Sequence, residues 1–269
     1  MSKFQGVANT LFIPLEARIF ASKKFPEYFY DEKALSLAQY ISNDSIRKKS
    51  SEYSFMASVA RYYNTDSMTK AFIQKHQRCN IIYLGAGLET AYHRLHGKDM
   101  QNVIFYEVDL PDVIDVRRSL LESGANEVLI GGDMYKFHWT KGIDTHLPSL
   151  LIVTGVFQYF IKEKVVRFIK DLRNIFAYVE LIFDATNETG LAYANNYVKK
   201  TGNDDALMHF YINNSALFAK TVNSTLIEER LFFPNAIKML GHRLKLYTRI
   251  AMNVVDKRKR AVLVHLRLK

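Results

Sequence analysis

The sequence contains a single cysteine, Cys79, among 269 residues. One cysteine excludes an internal disulfide, and its position just before an apolar strand predicts a packing role in a reducing compartment. No apolar stretch reaches the roughly 18 to 20 residues that a membrane span requires. Charged residues interrupt the first thirty positions, so no secretory signal is predicted. We therefore expect a cytoplasmic protein without a membrane partner.

Proline and glycine are also scarce, at five and twelve residues. No low-complexity tract or fixed repeat occurs, so nothing marks a linker between domains. The 48% of hydrophobic residues is enough for a large core. We predict one domain, residues 1–269, with a helical cap at 1–78, a core at 79–186 and 225–269, and an insertion at 187–224 that is a candidate lid.

Acidic residues are outnumbered, which gives a formal net charge of +10. Clustered lysine and arginine would indicate a nucleic-acid partner, but the basic runs are short and scattered. They lie at Lys23-Lys24, Arg47-Lys48-Lys49, Lys199-Lys200 and Lys257-Arg-Lys-Arg260. Each run is typical of a solvated face. Binding of RNA or DNA is not expected.

Short apolar runs alternate with helical patterns along the chain. The runs typical of buried parallel strands are 81–84, 103–108, 128–130, 150–153 and 179–183, and two further strands are predicted at 226–233 and 261–268. This order predicts an α/β protein with a doubly wound, Rossmann-like, mostly parallel seven-stranded sheet whose last strand is antiparallel. Ligands of such sheets bind beyond the carboxyl ends of the strands, where Gly85, Asp109, Asp133, Thr154 and Asp184 are expected.

Helix boundaries are predicted from capping residues and periodicity. Asp31 is placed to cap a helix that reaches Ile41, and Ser67 to cap another. Pro111 fits the first turn of a third helix. A single helix is expected to carry the apolar residues from Ile237 to Ile250.

The turn after the first strand carries the strongest functional signal. Gly85 and Gly87 permit a sharp turn with no Cβ in the way of a ligand. Asp109 follows 24 residues after Gly85, near the spacing at which an acid meets ribose hydroxyls. A dinucleotide fingerprint needs a third glycine where Thr90 stands, so NAD is disfavoured and S-adenosylmethionine fits better. A turn without a ligand is the plain structural alternative.

These residues and several others together resemble a known family. The matching motifs are Leu84-Gly-Ala-Gly-Leu-Glu-Thr90 with Tyr92-His-Arg-Leu95, Glu107-Val-Asp-Leu-Pro-Asp-Val113, Thr10-Leu-Phe-Ile-Pro-Leu15, Ala60-Arg61 and Gly155-Val-Phe-Gln-Tyr159. The chain resembles the leucine carboxyl methyltransferase family, which includes tetracenomycin-type polyketide O-methyltransferases. The resemblance implies a class I methyltransferase that uses S-adenosylmethionine.

The resemblance also implies roles for individual residues. Arg61 would grip the carboxylate of the cofactor, although composition alone also allows a surface helix residue. The other implied cofactor contacts are Gly85, Ala86 and Gly87 at the methionyl part, Asp109 with Leu110 at the ribose, Asp133 with Met134 at the adenine, and Thr154 with Gly155 at the fourth strand. For Asp133 a turn acid is the alternative.

The sequence departs from the family pattern at two positions, one after the fourth strand and one after the first. Thr154 stands where many members have glutamate, and Glu89-Thr90-Ala91 replaces the common Asp-Thr-Arg. Altered cofactor contacts, a different acceptor and reduced activity are all compatible with them. A non-catalytic cofactor-binding or interaction module is therefore an alternative to an enzyme. Within the enzyme class, a protein carboxyl methyltransferase is an alternative, and an RNA methyltransferase is a less favoured one.

A small-molecule O-methyltransferase is the function that we predict. The donor methyl group is already activated, so a catalytic base is optional. His209, Tyr193 and Tyr197 are the candidates if a phenol acceptor needs one. No metal is expected, because the eight histidines are scattered and the pair His93 and His96 is interpreted as two surface residues.

Overall fold

The computed structural model describes residues 7–40, 50–95, 97, 100–200 and 207–269. At 7–10, 40 and 197–200 the description covers the backbone alone. The basic run Arg47-Lys48-Lys49, the predicted helix end at Ile41 and His96 lie outside the described residues.

A seven-stranded sheet forms the centre of the molecule. Its strands are β1 Cys79–Leu84, β2 Val103–Asp109, β3 Glu127–Gly131, β4 Ser149–Val153, β5 Val179–Thr186, β6 Thr225–Leu231 and β7 Ala261–Arg267. They are arranged in the order β3-β2-β1-β4-β5-β7-β6. The first five strands are mutually parallel, and β7 is antiparallel to both of its neighbours. The predicted fold class is confirmed, and the strand order reverses between β1 and β4.

Helices cover both faces of this sheet. They are α1 Val7–Lys24, α2 Glu32–Ser36, α3 Glu52–Lys75, α4 Ala91–Leu95, α5 Pro111–Leu120, α6 Lys162–Ile175, α7 Glu188–Lys200, α8 Ser215–Thr221, α9 Pro234–Leu240 and α10 Leu246–Lys257. Ile81 and Tyr83 of β1 belong to the apolar cluster that includes α3, whereas Ile82 and Leu84 belong to the cluster that includes α6. The alternation of side chains along each strand thus separates two cores.

Helices α1, α2 and α3 precede the sheet, and one of the two N-caps predicted for this region is wrong. Asp31 caps α2 as predicted, its Oδ1 accepting from the Ala34 N–H at 2.8 Å. Ser67, in contrast, lies inside α3, which begins after Ser51. The Ser54 N–H donates to Ser51 Oγ at 3.1 Å. Because no glycine or proline occurs within α3, nothing interrupts the helix before Ser67.

Two further helix predictions differ from the structure. The helix that starts at Glu32 ends at Ser36 and continues as a 3₁₀ turn over Leu37–Tyr40. The expected helix across Ile237 to Ile250 is two helices, α9 and α10. The Lys245 N–H, which precedes α10, donates to Glu52 Oε1 at 2.8 Å. The first helix ends at Leu240 with Gly241 as its C-cap, and the Lys245 bond ties the start of α10 to the start of α3.

Cys79, the predicted insertion and the apolar character of the helices were the other features predicted from the sequence. Cys79 is the first residue of β1 and is buried, and burial raises the pKa of its thiol to about 12. Helices α7 and α8 occupy the predicted insertion. Over the described part of the chain, no helix has the length and apolar character needed to cross a bilayer.

Candidate active site

The glycine turn lies at the carboxyl end of β1, beside the point where the strand order reverses. Gly85 and Gly87 have positive φ angles of 71° and 52°. The N–H groups of Gly85 and Ala86 both donate to the Val108 carbonyl, at 2.9 and 3.2 Å. A Cβ on Gly85 would lie 2.4 Å from Val156 Cγ2. The backbone therefore passes too close to the loop after β4 to accommodate any side chain.

Asp109 fixes this turn to the end of β2. Its Oδ2 accepts from the Gly87 N–H at 2.7 Å, and its Oδ1 accepts from the Leu110 N–H at 2.7 Å. Burial raises the pKa of Asp109, and the two N–H donors oppose that shift without cancelling it. Each carboxylate oxygen has two lone pairs, so both oxygens keep acceptor capacity for hydroxyl groups.

The third strand ends beside the same acid. The Gly132 N–H donates to the Asp109 carbonyl at 2.8 Å. This bond brings Asp133 to the edge of the sheet that is formed by the carboxyl ends of the parallel strands, called the carboxyl edge below. Asp133 Oδ1 accepts from the Tyr135 N–H at 2.9 Å and caps a short 3₁₀ turn, Met134–Lys136. The turn-acid interpretation of Asp133 is thus realised in the structure. Its other carboxylate oxygen is the one that the turn leaves for a ligand.

Arg61 reaches the carboxyl edge from α3. Its Nη1 donates to Asp184 Oδ2 at 3.1 Å, at the end of β5. Burial lowers the pKa of Arg61, but Asp184 and Tyr62 together raise it by more, so the net shift of the pKa is upward. Arg61 is therefore not a surface helix residue. Asp184 was placed at this edge by the sequence pattern but was given no role there.

The end of β4 completes the carboxyl edge. Thr154 and Gly155 follow Val153, both half-buried, and Gly155 has a φ of 73°. The Gly155 N–H donates to Asp184 Oδ1 at 2.7 Å. Thr154 supplies a hydroxyl where a glutamate carboxylate is common in the family, and the carboxylate that contacts this loop is that of Asp184.

The unusual Glu89-Thr90-Ala91 segment belongs to a buried ionic cluster beneath the turn. Glu89 Oε1 lies 2.8 Å from Arg94 Nη1 and accepts from the Thr90 N–H at 2.7 Å. Arg94 also donates through Nε and Nη2 to both oxygens of Asp66, at 2.8 and 2.9 Å. Ala91 is fully buried. The Glu89 carboxylate is therefore paired by Arg94, one helical turn beyond the position where an arginine is common.

The cluster extends into the helical cap. Arg18 Nη1 donates to Asp31 Oδ2 at 2.9 Å, and the Thr90 hydroxyl donates to the same oxygen at 2.6 Å. Arg18 also donates to the Leu88 carbonyl within the glycine turn. The arginines outweigh the effect of burial, so that the pKa values of Asp31 and Glu89 are lowered. Glu89, Thr90 and Arg94 are close in the chain, but their partners Arg18, Asp31 and Asp66 are distant in it, so local patterns do not predict the cluster.

A second buried ion pair supports the turn from β2 and α5. Arg117 Nη1 donates to the Gly87 carbonyl at 3.2 Å, and its Nη2 donates to Glu127 Oε1 at 2.7 Å. Glu107 lies 3.6 Å from Arg117 Nη2. Burial raises the pKa of Glu107 to about 8, more than Arg117 lowers it. Beneath the turn the protein therefore holds one carboxyl group that is protonated at neutral pH.

The structure does not bring the candidate bases to the carboxyl edge. Tyr193 is 62% exposed on α7, and His209 is exposed, with its backbone N–H donating to the Gln158 carbonyl at 2.7 Å. Within the described residues, no hydrogen bond links either side chain to the strand ends. Tyr197 lies on α7, but its side chain is outside the description.

His93 was predicted to be a surface residue with no role as a metal ligand. His93 is half-buried rather than on the surface, with Nε2 3.8 Å from Glu127 Oε2, because α4 packs against the sheet. Burial lowers its pKa. Across the described ranges, no three or more histidine, cysteine or acidic side chains form a group suited to a metal ion.

Comparison with solved structures shows the same fold. A solved structure from Thermobifida fusca YX, named as a methyltransferase, superposes with a TM-score of 0.59 at 15% identity, covering 93% of each chain. A DUF574 family protein from Streptomyces avermitilis gives a TM-score of 0.60 at 13% identity, covering 94% of this chain and 97% of that one. At these identities the likeness concerns the fold.

Sequence comparison identifies relatives over part of the chain. The tetracenomycin polyketide synthesis O-methyltransferase TcmP of Streptomyces glaucescens is 24% identical over 157 residues, 58% of this chain and 57% of that protein. Leucine carboxyl methyltransferase 1 of Bos taurus is 24% identical over 149 residues, 44% of this chain and 45% of that protein. The matched region thus spans about half of either relative.

A family model matches a longer and more specific region. The model for leucine carboxyl methyltransferase matches residues 13–173. That region is more than half of the chain and contains Arg61, the glycine turn, Asp109, Asp133 and Gly155. The chain belongs to the leucine carboxyl methyltransferase family.

Proposed function

We propose that this protein is an S-adenosylmethionine-dependent methyltransferase that transfers a methyl group to the oxygen of a small-molecule hydroxyl or carboxylate. The observation that carries the proposal is the glycine turn fixed by Asp109, at the reversal of strand order and inside the region that matches the family. Arg61 adds a buried cation at the carboxyl edge. An acid for hydroxyl groups and a guanidinium for a carboxylate suit the two ends of this cofactor.

The cofactor contacts that we propose follow the carboxyl edge. Gly85, Ala86 and Gly87 would lie beneath the methionyl part, at the turn that the positive φ angles of the two glycines form. Asp109 and Leu110 would hold the ribose. Arg61 would bind the carboxylate beside Thr154 and Gly155, and Asp133 with Met134 would border the adenine.

The chemistry places few demands on the protein. When bound, the cofactor supplies a methyl group that is already activated, and the chain has to orient the acceptor oxygen and exclude water. A carboxylate acceptor needs no deprotonation. For a phenol, His209, Tyr193 or Tyr197 would have to approach from the region after β5.

The acceptor class rests on the relatives. TcmP is named for polyketide O-methylation and the Bos taurus relative for methylation of a leucine carboxyl group. Both names describe transfer to oxygen, which supports an oxygen acceptor here. A protein carboxyl group is the second candidate, favoured by the family name. A cytoplasmic location and the absence of nucleic-acid and membrane partners stay predictions.

Calorimetric titration with S-adenosylmethionine tests the proposal. We expect binding by the natural protein, and a loss of about tenfold or more in affinity for Asp109→Ala, the size expected when a hydrogen bond to a charged group is removed. A natural protein that does not bind the cofactor would exclude the enzyme. Mass spectrometry with small acids, phenols and protein extracts as separate acceptors then identifies the product. Binding without transfer to any acceptor would favour a cofactor-binding module.

A further inference from the structure

Asp184 connects two parts of the candidate active site. Its Oδ2 accepts from Arg61 Nη1 at 3.1 Å, and its Oδ1 accepts from the Gly155 N–H at 2.7 Å. Arg61 belongs to α3 and Gly155 follows β4, so one carboxylate at the end of β5 joins three elements. Its side chain is 12% exposed and that of Arg61 is 16% exposed, which limits screening of the pair by water.

The Arg61 guanidinium lies against Gly155, in the space that a side chain at position 155 would need. A Cβ on Gly155 would lie 3.0 Å from Arg61 Nη1 and 3.4 Å from Nη2. Arg61 Nε is buried and has no hydrogen-bond partner within the described chain. The guanidinium is thus confined between the backbone of Gly155 and the Asp184 carboxylate, with donor capacity remaining for an anion.

We propose that Asp184 is a positioning residue that orients Arg61 for the carboxylate end of the cofactor. This inference rests on the proposed function. A planar guanidinium binds a carboxylate well only in a narrow range of orientations. Asp184 fixes that orientation and, through the Gly155 N–H, the position of the loop against which the guanidinium lies.

A purely structural role makes a different prediction. If Asp184 only neutralised a buried cation, its loss would weaken every ligand of the site through partial unfolding. If it orients Arg61, only ligands with the carboxylate are affected. S-adenosylhomocysteine carries this carboxylate, whereas 5′-methylthioadenosine shares its adenine, ribose and thioether but lacks the aminocarboxylate. The pair of ligands therefore separates the two roles.

The test is calorimetric titration of both ligands into Asp184→Asn. The asparagine oxygen still accepts from the Gly155 N–H. Its amide N–H₂ group then faces the Arg61 N–H donor, and because neither group can accept, the hydrogen bond to Arg61 is lost. We expect the affinity for S-adenosylhomocysteine to fall about tenfold or more, as for a lost charge-assisted bond, and that for 5′-methylthioadenosine to change less than about twofold. In an Arg61→Ala background, Asp184→Asn should cause no further loss, because coupled residues are not additive.

Two controls complete the design. Asp171→Asn removes an acid from a solvent-exposed pair on α6 and should leave both affinities unchanged. Asp184→Glu keeps the charge but displaces the carboxylate, so it should also lose S-adenosylhomocysteine selectively; it provides the same comparison if Asp184→Asn does not fold.

Equal losses for the two ligands, or no loss, would overturn the positioning role. Full retention of S-adenosylhomocysteine affinity by Asp184→Glu would do the same. Failure of the proposed function has a separate signature, since the natural protein would then bind neither ligand, and the inference would fall with it.

Discussion

At the scale of single residues, Gly85 meets two independent requirements. Its φ is 71°, a region that disfavours residues with a Cβ, and that Cβ would lie 2.4 Å from Val156 Cγ2. We expect Gly85→Ala to lower the free energy of unfolding by about 1–3 kcal/mol, the cost of such backbone strain, and to weaken cofactor binding. Denaturant titration and calorimetry measure the two effects.

A matched glycine provides the control. Gly142 has no heavy atom within 4 Å of its built Cβ and no positive φ. Gly142→Ala should therefore leave both quantities near their natural values. Equal effects at the two positions would show that the requirement for glycine at position 85 is not steric.

Glu107 makes a prediction about pH. Its folded-state pKa is raised from 4.5 to about 8 by burial, so the folded protein holds a proton that the unfolded chain releases. The free energy of unfolding therefore falls as pH rises from about 4.5 to about 8, by up to about 1.4 kcal/mol per pH unit from this group. Glu107→Gln removes that slope. We expect the variant to gain stability relative to the natural protein across this range.

Denaturant titrations at several pH values measure the difference between the two proteins. Glu122→Gln is the control, because the Glu122 side chain is 97% exposed and its substitution should add no pH-dependent difference. A difference between Glu107→Gln and the natural protein that stays constant with pH would contradict the buried, protonated carboxyl group.

At the scale of elements, Arg94 joins the helical cap to the glycine turn. From α4 it contacts Asp66 of α3, Asp31 before α2 and Glu89 of the turn, with 5% of its side chain exposed. We expect Arg94→Met to lower the free energy of unfolding by about 3–5 kcal/mol, because Asp66 loses both of its hydrogen bonds from Arg94 and Glu89 keeps only Arg18, at 3.9 Å. Denaturant titration measures the change.

An arginine on the surface tests whether burial is the cause. Arg118 pairs with Asp115 on α5, and both side chains are more than half exposed. Arg118→Met should cost less than about 1 kcal/mol. Similar costs at the two positions would mean that the buried cluster contributes no more than a surface pair.

The elements differ in how well the sequence predicted them. Each strand was predicted to within about three residues at either end. For β1, β2, β4 and β5 the reason is that a parallel strand buried on both faces needs a short, continuous apolar run. Helix ends were less predictable. Ser67 has the chemistry of a cap but lies within α3, and α9 ends at Leu240 with Gly241 as its C-cap, although apolar residues continue at helical spacing beyond it.

At the scale of the whole molecule, we propose that the chain folds as a single domain. Strand β7 pairs with β5 on one side and β6 on the other, and most of its side chains are buried. Removing residues 258–269 should therefore expose the edge of β5 and abolish cooperative unfolding. Removing Lys269 alone should leave the transition unchanged.

Circular dichroism and the fluorescence of the buried Trp139 measure unfolding independently. We expect the two transitions of the full chain to coincide, as for one cooperative unit. Separate transitions would contradict the single domain. A cooperative transition that survives the removal of 258–269 would contradict the role of β7.

The sequence alone determined the strand order along the chain, the glycine turn and the acid at 109, because these are local patterns whose physical requirements appear in consecutive residues. Only the tertiary structure decided which ions pair. Arg61 and Asp184 are 123 residues apart. Glu89 pairs with Arg94 of α4 and with Arg18 of α1. Such contacts depend on how α1 and α3 pack on the sheet. An arginine in a sequence shows that a cation is present, whereas packing selects the carboxylate that it meets.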